Sequence, residues 1–107
     1  MKMVLAIVNN DDSSSVSTNL MRAGFSVTRL ATTGGFLMAG NTTFLIGTDD
    51  ENIETLIEII RKHSKRRKQV SPITSSYGTE TYSTVPVEVS VGGATLFIMN
   101  VERFEKL

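Results

Sequence analysis

The stretch TTFLIGTDDENIETLIEIIRKH, residues 42–63, changes its hydrophobic period part-way along, and that change decides the fold class. Thr42 to Gly47 is a short apolar run that suits a strand. After the acidic cluster Asp49, Asp50 and Glu51, the residues Ile53, Leu56, Ile57 and Ile60 fall at i, i+3, i+4 and i+7, the stripe of an amphipathic helix. Arg61, Lys62 and Lys65 follow at its end. Acid at the start and base at the end both complement the helix dipole, by about 0.3–1 kcal/mol for each well-placed charge. A strand feeding a helix whose stripe needs a core implies helices layered on a sheet.

Working towards the N-terminus, Phe25 and Val27 alternate with Ser26 and Thr28, which predicts a further strand. Leu30 falls on the opposite phase, so this strand carries a bulge or is covered on both faces, and Arg29 is an anomaly on it. With residues 42–47 it is expected to form a hairpin spanned by a long excursion. Met3 to Val8 is a continuous apolar run ending in Asn9, Asn10, Asp11 and Asp12, as in a strand followed by a helix start. The run is only about six residues long, too short for a signal peptide or a membrane span of roughly 20 apolar residues. Asp12 or Ser13 is the expected helix cap; Val16, Leu20 and Ala23 follow at helical spacing, and Gly24 offers the left-handed stop.

Towards the C-terminus, residues 64–84 turn polar, with Pro72 and Gly78, and read as a loop long for so small a chain. Val85, Val87, Val89 and Val91 then alternate with Pro86, Glu88 and Ser90. Gly92-Gly93 supplies a turn signal and ATLFIMNV follows, so a final hairpin is expected. The order is strand, helix, strand, strand, helix, loop, hairpin. It predicts one α+β domain over residues 1–107, a ferredoxin-like βαββαβ sandwich with an extra C-terminal hairpin strand and a long loop before it. Two helices cover one sheet face. The other face needs a cover from other subunits, so a homo-oligomer is expected.

Composition narrows the function classes. The chain has 107 residues, no Cys and no Trp, which leaves no thiol nucleophile and no Cys-based zinc site and favours an intracellular protein. Eleven basic residues balance eleven acidic ones, which argues against a general binder of nucleic-acid backbone. The one histidine, His63, lies in the basic stretch Arg61 to Lys68, and no Ser or Thr sits in a nucleophile elbow, so a His-based hydrolase is disfavoured. The acidic groups at residues 11–12 and 49–51 stand where helix caps belong rather than forming a metal site. The run KHSKRRKQ fits a solvated helix end as well as an anionic partner.

The segment LATTGGFLMAGNTTFLIG, residues 30–47, is harder to read as a plain connection. Gly34, Gly35 and Gly40 surround an apolar tip of Phe36, Leu37 and Met38. Glycines let backbone N–H groups approach a ligand closely, and Phe36 offers a face on which a base can stack. Thr32, Thr33, Asn41 and Thr42 add short hydrogen-bonding groups. A flexible or subunit-packing loop accounts for the same residues on physical grounds alone.

The wording RLATTGGFLMAGNTTFLIG, together with MKMVLAIV at the start, VSPIT at residues 70–74 and PVEVSVGGATLFIMNV at residues 86–101, resembles the cyclic-di-AMP receptor proteins of the PII-like signal-transduction superfamily. The resemblance implies a cytoplasmic, non-catalytic homotrimer with a cyclic-di-AMP molecule in each cleft between neighbouring subunits and no cofactor. It implies that loops at about residues 33–41 and 65–85 respond to the nucleotide. Matched position by position, it places the ligand on Val27, Thr28, Gly35, Phe36, Leu37, Asn41, Gly47 and Phe97. One position departs: where relatives can carry Arg two residues after a helix-ending Asn, this chain has Ser26 after Gly24. The loss of a planar guanidinium predicts weaker affinity, and Arg29, three positions on, points to the other side of a regular strand.

The ligand's chemistry agrees with the residues independently. Two adenines need apolar platforms, which Phe36, Leu37 and Phe97 offer, and two phosphodiesters need local donors rather than a general positive field. Three other readings share the element order: a PII-like sensor of ATP or ADP, an RNA-recognition module and an acylphosphatase-like hydrolase. The RNA module would show paired aromatics on its third strand, where residues 41–47 hold only Phe44. The hydrolase would need an Arg and an Asn placed on a phosphate. Neither a downstream partner nor a membrane is indicated by any residue pattern.

Overall fold

The computed structural model describes residues 1–30, 40–65, 67–73 and 85–107. Among these described residues, six strands and two helices follow one another: β1 (Lys2–Asn9), α1 (Asn10–Arg22), β2 (Ser26–Leu30), β3 (Asn41–Thr48), a 3-10 turn (Asp50–Asn52) leading into α2 (Ile53–His63), β4 (Arg67–Ile73), β5 (Val85–Val91) and β6 (Ala94–Asn100). Strands β2, β3, β1 and β6 lie side by side in that order in one antiparallel sheet. With two helices against it, this is the expected α+β, ferredoxin-like arrangement. Strands β4 and β5 form a separate two-stranded ribbon.

The core forms because alternate residues of the central strands point at the helices. Val4, Ala6 and Val8 of β1 and Phe44 and Ile46 of β3 are at most 1% exposed, and the register sets Ala6 opposite Phe44 and Val4 opposite Ile46. From above, α1 contributes Val16 and Leu20, and α2 contributes Leu56 and Ile60, all at most 1% exposed. Ile53 and Ile57 flank the α2 pair half-buried, so the stripe read from the sequence is the face that the helix buries. Fully burying a side chain of this size is worth about 1.5–3 kcal/mol.

Two expectations need correction, and the choice left open at β2, a bulge or cover on both faces, is decided. The cap of α1 is Asn9, not Asp12 or Ser13: its side-chain Oδ1 accepts from the Asp11 N–H at 2.8 Å. The helix therefore begins directly on the end of β1, and Asp11 and Asp12 fall inside the first turn. Strand β2 carries no bulge, since Ser26 to Leu30 pair in unbroken register with Gly47 to Thr43. Leu30 is out of phase with Val27 because the two residues face opposite sides of the sheet.

The second correction concerns the final hairpin. Val85–Val91 pairs with Arg67–Ile73, while β6 pairs with β1. Gly92 and Gly93 have φ of 86° and 78°, a left-handed pair that redirects the chain from the ribbon into the sheet rather than folding it back on itself. The Gly93 N–H donates to the carbonyl of Ser64, so the two ends of the inserted ribbon meet at its base. Part of the polar stretch read as loop is thus a strand. Residues 74–84, the remainder of that expected loop, lie outside the described residues, as do residues 31–39 between β2 and β3.

Candidate binding face

The sheet face away from the helices is assembled from the alternate residues of the same four strands. Three cross-strand rows run over it: Ser26, Gly47, Met3 and Met99; Thr28, Leu45, Leu5 and Phe97; Leu30, Thr43, Ile7 and Thr95. Asn41 continues the β3 series beyond Thr43 and pairs with Asn9. These positions hold no Lys, Arg, Asp or Glu, so the face is neutral, with apolar platforms interleaved with hydroxyls and carboxamides. Such a surface suits a ligand gripped by stacking and local hydrogen bonds, not one drawn in by net charge.

Of the eight positions singled out from the sequence, four share this face: Thr28, Asn41, Gly47 and Phe97. Val27 does not. It pairs with Ile46 and packs half-buried against the helix-side core, so only its backbone, on an edge strand, is on offer to a ligand. Gly35, Phe36 and Leu37 lie outside the described residues. Thr28 and Phe97 occupy the same row but opposite edges of the sheet, three strand spacings apart, or about 14 Å.

Gly47 lies against the end of the Met1 side chain. Its backbone is ordinary, but a Cβ built on it would lie 3.1 Å from the Met1 Cε, so any larger residue would push that side chain aside. Beside it opens a cleft of about 370 Å³ lined by Gly24, Ser26, Gly47, Thr48, Asp49 and Asn52, among others. Ser26 is the position where a guanidinium was missing from the sequence pattern, and it lines open space. Arg29 does not compensate. It pairs with Phe44 on the helix side, and its guanidinium carbon lies 5.7 Å from the centre of the Phe44 ring. The anomaly on β2 is thus a cation on an aromatic face.

The face also holds residues that sequence reasoning passed over. Leu5 and Leu45 separate Thr28 from Phe97, and Thr43 sits between Asn41 and Leu45. Their signal was available in the two-residue period: once Asn41 and Gly47 are placed on one face, Thr43 and Leu45 must join them. His63 meets the helix layer instead, with Nδ1 3.2 Å from the Ser15 hydroxyl. Among the described residues no cluster of His, Cys, Asp or Glu is arranged to hold a metal ion, and no helix is long and apolar enough to cross a membrane.

Comparison with known proteins gives this face its context. A family profile described as cyclic-di-AMP receptor matches residues 1–107. The chain belongs to the cyclic-di-AMP receptor family. A solved structure with the same architecture, a functionally unknown protein from Pediococcus pentosaceus ATCC 25745, is 38% identical to this receptor. The likeness covers 99% of this chain and 96% of that chain, with a TM-score of 0.74. The chain that carries this neutral face is thus a member of a family of receptors for a dinucleotide.

Proposed function

We propose that this receptor is a non-catalytic sensor that binds cyclic-di-AMP in clefts between the subunits of a PII-like homotrimer. The observation that carries the reading, beyond family membership, is the separation of Thr28 and Phe97. Both lie on one face, yet they stand on opposite edge strands about 14 Å apart. One protomer cannot close both around the same adenine. If the β2 edge of one protomer lies beside the β6 edge of the next, Thr28, Asn41 and Gly47 face the partner's Phe97, and the site is completed. The exposed apolar residues on β6, with Phe97, Ile98 and Met99 all more than 40% exposed, support a subunit contact at that edge.

Within such a cleft, Phe97 and the apolar residues Phe36 and Leu37 serve as platforms for the adenines. Thr28, Asn41 and the backbone around Gly35 and Gly47 supply hydrogen bonds. Residues 33–41 and 65–85 are the segments proposed to change conformation with the ligand and so to signal to a downstream protein. No cofactor is needed for this task. A nucleotide messenger of this kind acts inside the cell, which makes the cytoplasm the proposed location.

The competing readings meet specific obstacles. The acylphosphatase-like arrangement needs an Arg and an Asn converging on one phosphate, but Arg29 and Asn41 lie on opposite faces of the sheet. An RNA module needs aromatic platforms on its central strands, and the open face of β1 and β3 presents Met3, Leu5, Ile7, Thr43 and Leu45 instead.

Calorimetry with cyclic-di-AMP, ATP, ADP and cyclic-di-GMP, alongside light scattering for the oligomer mass, tests the reading. The expected result is a trimer that binds one cyclic-di-AMP per protomer and prefers it to the other three. No heat with cyclic-di-AMP would sink the proposal, and preferential binding of ATP or ADP would replace its ligand.

A further inference from the structure

Thr43 lies near the middle of the candidate face, in the row of Leu30, Ile7 and Thr95 and two residues from Asn41 on the same strand. Its surroundings are unusual in two respects. It is 1% exposed, although its neighbours Ile7, Leu30 and Leu45 are only half-buried. Its hydroxyl Oγ1 has no hydrogen-bond partner, and among the described residues it is the one buried side-chain oxygen or nitrogen in that condition.

The adjacent Thr42 shows the ordinary outcome. On the helix side, its hydroxyl donates to Asn10 Oδ1 at 2.5 Å. Likewise the buried Ser13 donates to the Asn10 carbonyl at 2.9 Å, and the buried Ser64 to the Ile60 carbonyl. A buried hydroxyl left without a partner destabilises a protein, and each such group calls for an explanation, of which a functional role is one. Valine has the same shape and no such cost, so packing alone gives no reason for Thr at this position.

We infer that the Thr43 hydroxyl is held in reserve for the bound ligand and hydrogen-bonds the edge of a purine. This rests on the reading of the face as a nucleotide site, and it adds a residue that the sequence pattern did not assign. The choice of base edge over phosphate follows from the surroundings. Leu30, Ile7 and Leu45 around it are aliphatic, and Thr95 and Asn41 further off are neutral, so no cation is at hand and a phosphodiester seated there would lose much of its hydration without a charge to compensate it. A purine is uncharged, its flat faces fit aliphatic neighbours, and its ring nitrogens and exocyclic group accept or donate as a hydroxyl requires.

The test compares wild type with Thr43→Val and Thr43→Ser as full chains, by calorimetry with cyclic-di-AMP and by thermal unfolding without ligand. Thr43→Val is expected to weaken binding about tenfold, the worth of one buried hydrogen bond, while the unliganded melting temperature stays level or rises. Thr43→Ser keeps the hydroxyl and is expected to bind within about threefold of wild type. If Thr43→Val binds as wild type does, the hydroxyl is unused and the inference is overturned. Equal losses in both variants would also overturn it, since they would make the methyl group the determinant. Wild type giving no heat would bring down the nucleotide reading itself, and this inference with it.

Discussion

The two faces of the four-stranded sheet are built from the same strands, residue by alternate residue, and have opposite fates. On the helix side Val4, Ala6, Phe44 and Ile46 are at most 1% exposed, though Ile98 at the β6 edge is 41% exposed; on the other side Met3, Leu5, Ile7 and Leu45 are half-buried and Phe97 and Met99 are 44% and 43% exposed, with Thr43 alone buried among them. Both faces are largely apolar, so hydrophobicity does not separate them. What separates them is cover. The helices α1 and α2 close one face within the chain, whereas the other carries neutral polar groups among its apolar ones and waits for a subunit or a ligand. A chain of this size can thus place folding and recognition back to back, since a strand delivers successive side chains to opposite sides.

That contrast can be broken by substitution, and the largest effect is expected on the helix side. Leu20→Ala removes a fully buried side chain between α1 and the sheet and should cost about 2–5 kcal/mol of stability, read from urea unfolding. A loss below about 0.5 kcal/mol, the scale of a surface substitution, would mean that the helix layer is not the core.

Next in size is Phe97→Ala on the open face. It should weaken cyclic-di-AMP binding by about 1–3 kcal/mol, the usual worth of stacking a base, while the far-UV circular dichroism stays that of wild type. Unchanged affinity by calorimetry would remove Phe97 from the site and with it the main support for a cleft between subunits. Mixing Phe97→Ala with a Thr28→Ala variant sharpens the point: if each site draws on two protomers, mixed trimers regain some intact clefts.

The smallest effect is expected from Arg29→Ala. The guanidinium rests on the buried Phe44 ring at an exposed edge, so its loss should cost about 0.5–1 kcal/mol of stability and leave binding alone. A tenfold loss of cyclic-di-AMP affinity would instead bring Arg29 into the site, and the division between the two faces would fail at β2.

Much of this division was legible beforehand. The helical stripe of Ile53, Leu56, Ile57 and Ile60 is local, and local periodicity survives folding because a helix buries whichever side is apolar. The phase slip between Val27 and Leu30 already announced a strand with two occupied faces. The cap of α1 was less legible, since Asn9, Asn10, Asp12 and Ser13 all have short side chains able to cap. The choice among them depended on where β1 ends, which is set by its pairing with β3.

By itself, then, the sequence determined the type and order of the elements around residues 42–63, the neutral chemistry of the glycine-rich segment 30–47 and the family to which the chain belongs. Only the tertiary structure decided which strands are neighbours. Gly92-Gly93 reads as a hairpin turn because turn signals are local, but β6 adds to the edge of β1, while β5 returns to β4 across residues 74–84. Strand pairing joins residues far apart in the chain, and its outcome depends on competition among edges that no short window contains.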